Sequence, residues 1–252
     1  MNKKIIISLL IIIIATIGFL SNKTMDSPVD NKKTSNIEDL DQKSSYIDLE
    51  PKEFYELMKK DVDSVVVDVS PRFDKGHIPG AINYYIGDGS LDKAIQTLAK
   101  DKTYLVYCHV DSASIPGAQK FIDAGFSKVY RLKGNYPEWL SGGYPIEVSL
   151  KAVAPYTGSA LAERSYLNGQ FNHIVVADLQ EPATGKFYEG WLVDGKNFFS
   201  TGKMQKLGGK FQINYSSKDD RRNYKQIVIT EETELQGLDN NPEAHVLEGK
   251  FE

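Results

Sequence analysis

Cys108 is the only cysteine among 252 residues, and its neighbours give it a chemical setting. It closes a short β-branched and aromatic run, Tyr104–Tyr107, which predicts a buried strand. His109, Val110, Asp111, Ser112, Ala113 and Ser114 then read as a six-residue loop. A helix follows, with Ser114 as N-cap, Pro116 in the first turn, Ala118, Phe121 and Ile122 on the inner face, and Gly125 as the stop. A thiol between a strand end and a helix start faces backbone N–H groups and the positive end of a helix dipole. Both favour the thiolate, which is the nucleophilic form.

With one cysteine, no internal disulfide framework exists, so the thiol is either inert packing or a reactive group. His77, His109, His173 and His245 show no paired ligand spacing, so neither a metal nor any other cofactor is expected. The formal net charge of −4, without a strong basic cluster, argues against nucleic acid as a partner. A hydrophobic content of 41% with 25% charged residues is that of a folded globular chain with room for two cores.

Four segments organise the chain. Residues 1–20 read as a signal anchor or signal peptide: Lys3 and Lys4 precede the apolar run Ile5–Leu20. That reading places the remainder outside the cytoplasm, held to the cell membrane or secreted if the segment is cleaved. Residues 21–45 are polar and read as a flexible tether. Residues 46–148 alternate strands and helices. Pro51–Lys60 is helical, Val65–Val67 a buried strand, Gly80–Tyr84 a strand, Leu91–Lys100 a helix, Lys128–Leu132 a strand and Pro137–Leu140 a short helix. This order implies an α/β domain, a parallel sheet with helices on both faces. Residues 152–252 carry alternating strands and turn signals, including Asn168-Gly169, and read as an all-β sandwich or barrel, with the sandwich preferred.

The α/β segment resembles the rhodanese family over about residues 46–147. The carrying residues are Asp68-Val69-Ser70, the turn Gly76-His77-Ile78-Pro79-Gly80-Ala81, Cys108 between strand and helix, Ala124-Gly125-Phe126, and Gly134-Asn135-Tyr136 with Trp139 and Gly142 to Ile146. The resemblance implies a sulfurtransferase or sulfur carrier. Cys108 would take sulfur from a small donor anion or a persulfide, hold it as a persulfide and pass it to a thiol acceptor. It assigns residues 109–114 to the anion-binding loop. Asp68 reads as an acceptor for turn amides, and His77 as a hydrogen-bonding residue that fixes its turn. Asp111 and Ala113 stand where many active members carry glycine and arginine, and no arginine lies between Arg72 and Arg131. Ser112, Ser114 and a protonated His109 would offset the Asp111 charge. The same lack argues against a cysteine phosphatase, which needs a loop arginine on the phosphate. A catalytically silent binding module is the alternative.

Residues of about 156–251 resemble the extracytoplasmic β-domain of anti-sigma-K-type factors, on Gly185 to Val193, Ser200 to Lys203, Gly209 to Phe211, Ile227 to Glu231 and Pro242 to Gly249. On that resemblance the β-domain reads as a reused extracytoplasmic module without an anti-sigma role, and an envelope protein is a candidate partner for it.

Overall fold

The computed structural model describes residues 45–252. The anchor at 1–20 and all of the tether except Ser45 lie outside the described residues. Among the described residues no helix is long and apolar enough to cross a membrane.

The α/β part begins with β1 (Ile47–Leu49) and α1 (Pro51–Lys60). Glu50 and Glu53 form a reciprocal capping box and Pro51 occupies the first turn, so local chemistry fixes where α1 begins. β2 (Val65–Asp68), a 3-10 turn at Phe73–Lys75, β3 (Ile82–Asn83), α2 (Ser90–Ile95) and β4 (Tyr104–Tyr107) follow. α3 (Asp111–Asp123), β5 (Val129–Leu132) and α4 (Asn135–Ser141) complete it. The strands form a parallel sheet in the order β1-β5-β4-β2-β3, with β4 at its centre.

All four β4 residues are buried, as a strand covered on both faces requires. Alternation sends Tyr104, Val106 and Cys108 into a core with Val67, Leu91, Ala118 and Phe121. Leu105 and Tyr107 point the other way, into a core with Phe54, Tyr136 and Trp139. The helix predicted over Leu91–Lys100 stops after Ile95, and the strand predicted over Gly80–Tyr84 shrinks to two residues.

The rest of the chain is β6 (Ile146–Ala152), β7 (Ser159–Leu167), β8 (Gln170–Asp178), β9 (Lys186–Asp194) and β10 (Asn197–Lys203). Then come β11 (Gln205–Leu207), β12 (Lys210–Ser217), β13 (Gln226–Thr233) and β14 (Ala244–Lys250). The expected hairpin at Asn168-Gly169 joins β7 to β8, with both residues at positive φ. The preferred sandwich is corrected. The strands form one nine-stranded antiparallel sheet, ordered β10-β9-β13-β14-β6-β7-β8-β12-β11, not two stacked sheets. Its end strands, β10 and β11, are separated by Met204 alone, so a single stretch of chain pairs with β9 and then with β12. The sheet therefore curls until its ends meet. Gly190 shows the closeness of the walls: a Cβ there would lie 2.3 Å from Ile213 and 2.6 Å from Thr201.

The described residues form one compact unit. The core that holds Tyr107 and Trp139 runs on without a break into Val148, Val246 and Leu247 of the antiparallel sheet. β6 spans the junction drawn at 148–152. His77 and Glu147 exchange both backbone hydrogen bonds, at 3.0 and 2.7 Å, which ties the Gly76–Ala81 turn to β6. The His77 ring stacks on Phe73 at 3.7 Å and its Nε2 lies 3.1 Å from the Glu147 carboxylate.

Glu147 also faces Glu163 directly across β6 and β7. Burial first, then the Glu147 charge, pushes the Glu163 carboxyl up to about 7. A carboxyl raised on folding contributes stability below its ordinary range and loses it as pH rises through the raised value. Glu163→Gln is therefore expected to raise unfolding free energy at pH 8 by about 1–2 kcal/mol, and to change it little at pH 4. Urea denaturation at the two pH values checks this; an equal effect at both would show that charge is not the cause.

Candidate active site

The end of β4 delivers Cys108 to the N-terminus of α3, and the side chain is only 1% exposed. The expected loop is shorter than the sequence suggests. α3 starts at Asp111 and its N-cap is Val110, with no side-chain cap, so Ser114 sits inside the helix and not at its cap. Of the six predicted loop residues only His109 and Val110 lie outside the helix. The amides of Ala113 and Ser114 are committed to the Val110 carbonyl, at 3.3 and 3.1 Å. The amides of Val110 and His109 face the sulfur and pull its pKa down. Burial opposes them and is the larger effect, with the Asp68 charge adding to it, so the Cys108 thiol is raised above its ordinary value. The helix-terminus argument named forces that are present, but desolvation outweighs them.

Asp111 does not stand free against an incoming anion. Arg131 of β5, itself buried, donates to Asp111 at 2.5 Å and to the Ser114 hydroxyl at 3.1 Å. The same guanidinium holds both oxygens of Asp48, at 2.8 and 2.7 Å. Hydrogen bonds from Arg131 and then Asn135 hold the Asp111 carboxyl below its usual range. An arginine thus does reach the start of α3, from a strand 20 residues away in sequence, but its donors are taken by two carboxylates and a hydroxyl. Ser112 is exposed and Ala113 half-buried.

Asn135, at the head of α4, has φ of 58° and is buried. Its Oδ1 accepts the Cys108 N–H at 3.3 Å and its Nδ2 donates to Asp111 at 2.8 Å. The next residue, Tyr136, donates its backbone N–H to the Cys108 carbonyl at 2.9 Å. The cysteine backbone is therefore clamped on both polar groups by α4. Gly134-Asn135-Tyr136 stood in the sequence as a family-like motif, but its contact with Cys108 depends on tertiary placement.

Asp68 is fully buried, and its Oδ1 accepts the Ser70 N–H at 2.8 Å, as a turn acceptor should. Burial pushes its carboxyl up to about 6. His109 packs its ring on Tyr136 at 4.7 Å, and burial followed by the Arg72 charge lowers its pKa, so it is neutral at pH 7. The expected cationic help from His109 is corrected accordingly. His77 belongs to the seam with β6, and its contacts fix the turn. Tyr136 lies against Gly76, where a Cβ would come within 2.6 Å of its hydroxyl and where φ is +135°. Among the described residues no group of three His, Cys, Asp or Glu side chains is placed to hold a metal ion.

The clamp gives a test. Asn135→Ala leaves the buried Cys108 N–H without an acceptor and puts a Cβ-bearing residue without amide stabilisation at positive φ. It is expected to cost roughly 2–4 kcal/mol in chemical denaturation, with Asn135→Gly costing about 1 kcal/mol less because glycine tolerates that φ. Equal costs would show that backbone conformation plays no part.

Residues 50–141 match the family described as the rhodanese-like domain. The thiosulfate sulfurtransferase GlpE of Glaesserella parasuis is 27% identical over 106 residues, covering 41% of this chain and 95% of that protein. The protein of the same name from Coxiella burnetii is 33% identical over 89 residues, covering 34% of this chain and 80% of that protein. A solved rhodanese-like domain from Anabaena sp. is 27% identical, with a TM-score of 0.37 over 40% of this chain and 78% of that one. With a cysteine at the end of the central parallel strand and 33% identity to one such sulfurtransferase over the 89 aligned residues, the chain belongs to the rhodanese-like family.

Proposed function

We propose that the chain is a sulfurtransferase that carries sulfur as a persulfide on Cys108. The observation that supports it best is the thiol at the mouth of α3 with the His109 and Val110 amides turned toward it. The Cys108 thiolate attacks the outer sulfur of the donor. A new S–S bond forms, the donor's own S–S bond breaks, and sulfite (from thiosulfate) leaves with the electron pair. The two amides then stabilise the terminal persulfide anion. A thiol or cyanide attacks that outer sulfur, and Cys108 departs as thiolate. Asn135 and Tyr136 hold the cysteine backbone through both steps, and Arg131 neutralises Asp111, which would otherwise repel the donor.

The apolar run Ile5–Leu20 behind Lys3 and Lys4 supports action at the membrane, outside the cytoplasm. The likeness of residues 156–251 to the β-domain of anti-sigma-K-type factors supports an envelope protein as the partner of that half. A second reading, a silent binding module, is favoured by the burial of Cys108 and by the consumption of Arg131 donors by Asp48 and Asp111.

Two measurements separate these readings. Intact mass after incubation with thiosulfate or a thiosulfonate is expected to show one added sulfur in the native protein and none in Cys108→Ser; no loading from any donor would leave the binding module. Because the thiol is raised above its ordinary value, the loading rate is expected to climb about tenfold per pH unit from pH 6 to pH 8 without a plateau. A plateau in that window would indicate a thiolate already formed at neutral pH.

A further inference from the structure

One stretch of the antiparallel sheet has no part in the chemistry described so far. Tyr188 and Leu192 of β9 and Ile227 and Ile229 of β13 enter the core, so alternation turns Trp191, Val193 and Val228 to the outer face. The outer face of an antiparallel sheet is ordinarily polar. Here Phe198 of β10 pairs with Val193 and Trp191 pairs with Val228, and Pro242 and His245 join these four around a hollow of about 210 Å³. Phe198 is 46% exposed and stands edge-on to the Trp191 ring at 5.9 Å, whereas Trp191 is 1% exposed and forms the floor.

A bulge in β14 builds a polar end for this hollow. The pairing runs Ile229 with Leu247 and then Thr230 with His245, so Val246 is an extra residue. Val246 and Leu247 are both fully buried, and the extra residue turns His245 to the same face as Glu248, which pairs with Val228. In a regular strand, residues three apart face opposite sides. The Glu248 carboxylate lies 2.5 Å from His245 Nδ1. A carboxylate only accepts, so the hydrogen is on Nδ1, and Nε2 of the neutral ring is left as an acceptor without a partner among the described residues. The Trp191 indole N–H is already given to the Thr230 hydroxyl at 2.8 Å, so the floor offers a ligand only apolar surface.

We propose that this hollow binds a single phenol-type ring, packed on Trp191 and Phe198, whose hydroxyl donates to His245 Nε2. The volume sets the size: a cavity of about 150 Å³ holds one benzene ring, whereas drug-sized ligands occupy about 300–1,000 Å³. The two aromatic walls favour a third ring in stacked or edge-on contact. The His245–Glu248 pair sets the substituent. An acceptor backed by a carboxylate rewards a neutral donor, while an anionic group would meet the Glu248 charge. Glu248 is a positioning residue, since it fixes which imidazole nitrogen carries the hydrogen. The site is independent of Cys108 and stands whether or not the chain transfers sulfur. The ring belongs either to a free phenol or to a tyrosine side chain of another protein, two sources of one chemistry.

The chain's two tryptophans supply the readout. The full chain, labelled with nitrogen-15, is titrated at pH 8 with p-cresol and separately with 4-methylanisole, whose oxygen cannot donate. p-Cresol is expected to shift the Trp191 indole N–H signal and to leave that of Trp139, which is bonded to the Pro145 carbonyl, in place. It should bind about threefold to tenfold more tightly than 4-methylanisole, the worth of one hydrogen bond. In His245→Ala that preference is expected to fall to near one. His245 is exposed, and a general loosening of the hollow would weaken both probes alike, so the ratio isolates the hydrogen bond. Glu248→Ala should lower the ratio in the same direction, by less. A Trp191 signal unmoved by either probe at millimolar concentration overturns the site, and a preference that persists in His245→Ala overturns the hydroxyl assignment. N-Acetyltyrosinamide, as a third probe, distinguishes the sources: affinity matching that of p-cresol points to a tyrosine side chain, and its exclusion to a free phenol.

Discussion

Everything near the thiol depends on β4 having no exposed face. Each of its side chains must enter one of two cores, and strict alternation decides which. Tyr107 enters the core shared with the antiparallel sheet, where its hydroxyl accepts the Ile78 N–H at 3.1 Å and supports the turn next to His77. Cys108 enters the other core, beneath α3. A slip of one residue would exchange the two, burying a phenol under the helix and facing the thiol toward the seam. Burying a large side chain stabilises by roughly 1.5–3 kcal/mol, so the four apolar residues of β4 fix this register far more strongly than any single polar contact of Cys108.

The same placement explains the electrostatics. A strand that ends in a core delivers a thiol with little water around it, and two amides do not fully replace that water. The raised thiol is thus a consequence of the fold, set by the depth at which β4 ends. Asp111 follows a different logic because its side chain is exposed and borders a buried guanidinium. Arg131 could not be buried without partners, since an unpaired cation in that position would cost several kcal/mol. Asp48, Asp111 and Ser114 are those partners, so the residue that departs most from the family pattern is also a structural counter-ion.

How much of this was legible in the sequence follows from the range of the interactions. The Val65–Val67 strand, the capping box of α1 and the Asn168-Gly169 hairpin are local, and each was readable from its own residues. Cys108 was legible as a candidate because strand, thiol and helix are contiguous. The start of α3 was misplaced because Ser114 has the chemistry of a cap but is held instead by a guanidinium 17 residues away. Arg131 and Asn135 were missed for the same reason: the parallel pairing of β5 with β4 and of β1 with β5 carries them and Asp48 to the site. The closure of the antiparallel sheet was hidden because strand alternation looks alike in a sandwich and in a curled sheet. Only the two-sided pairing on either side of Met204 separates them.

The antiparallel half is built into the site and does not merely follow it. β6 continues directly from the Gly142–Pro145 turn, and the Trp139 indole donates to the Pro145 carbonyl at 2.8 Å, so the last helix of the family fold is locked where the second sheet begins. Arg222 reaches back to the Leu140 carbonyl at 3.2 Å, and the Tyr166 N–H donates to the Gly143 carbonyl at 2.8 Å. α4 carries Asn135 and Tyr136, which hold the cysteine backbone. The end of α4 and the turn after it are thus bonded both to β7 and to the segment before β13. The two sheets share one core, and that continuity ties the added strands to the helix that holds the cysteine backbone.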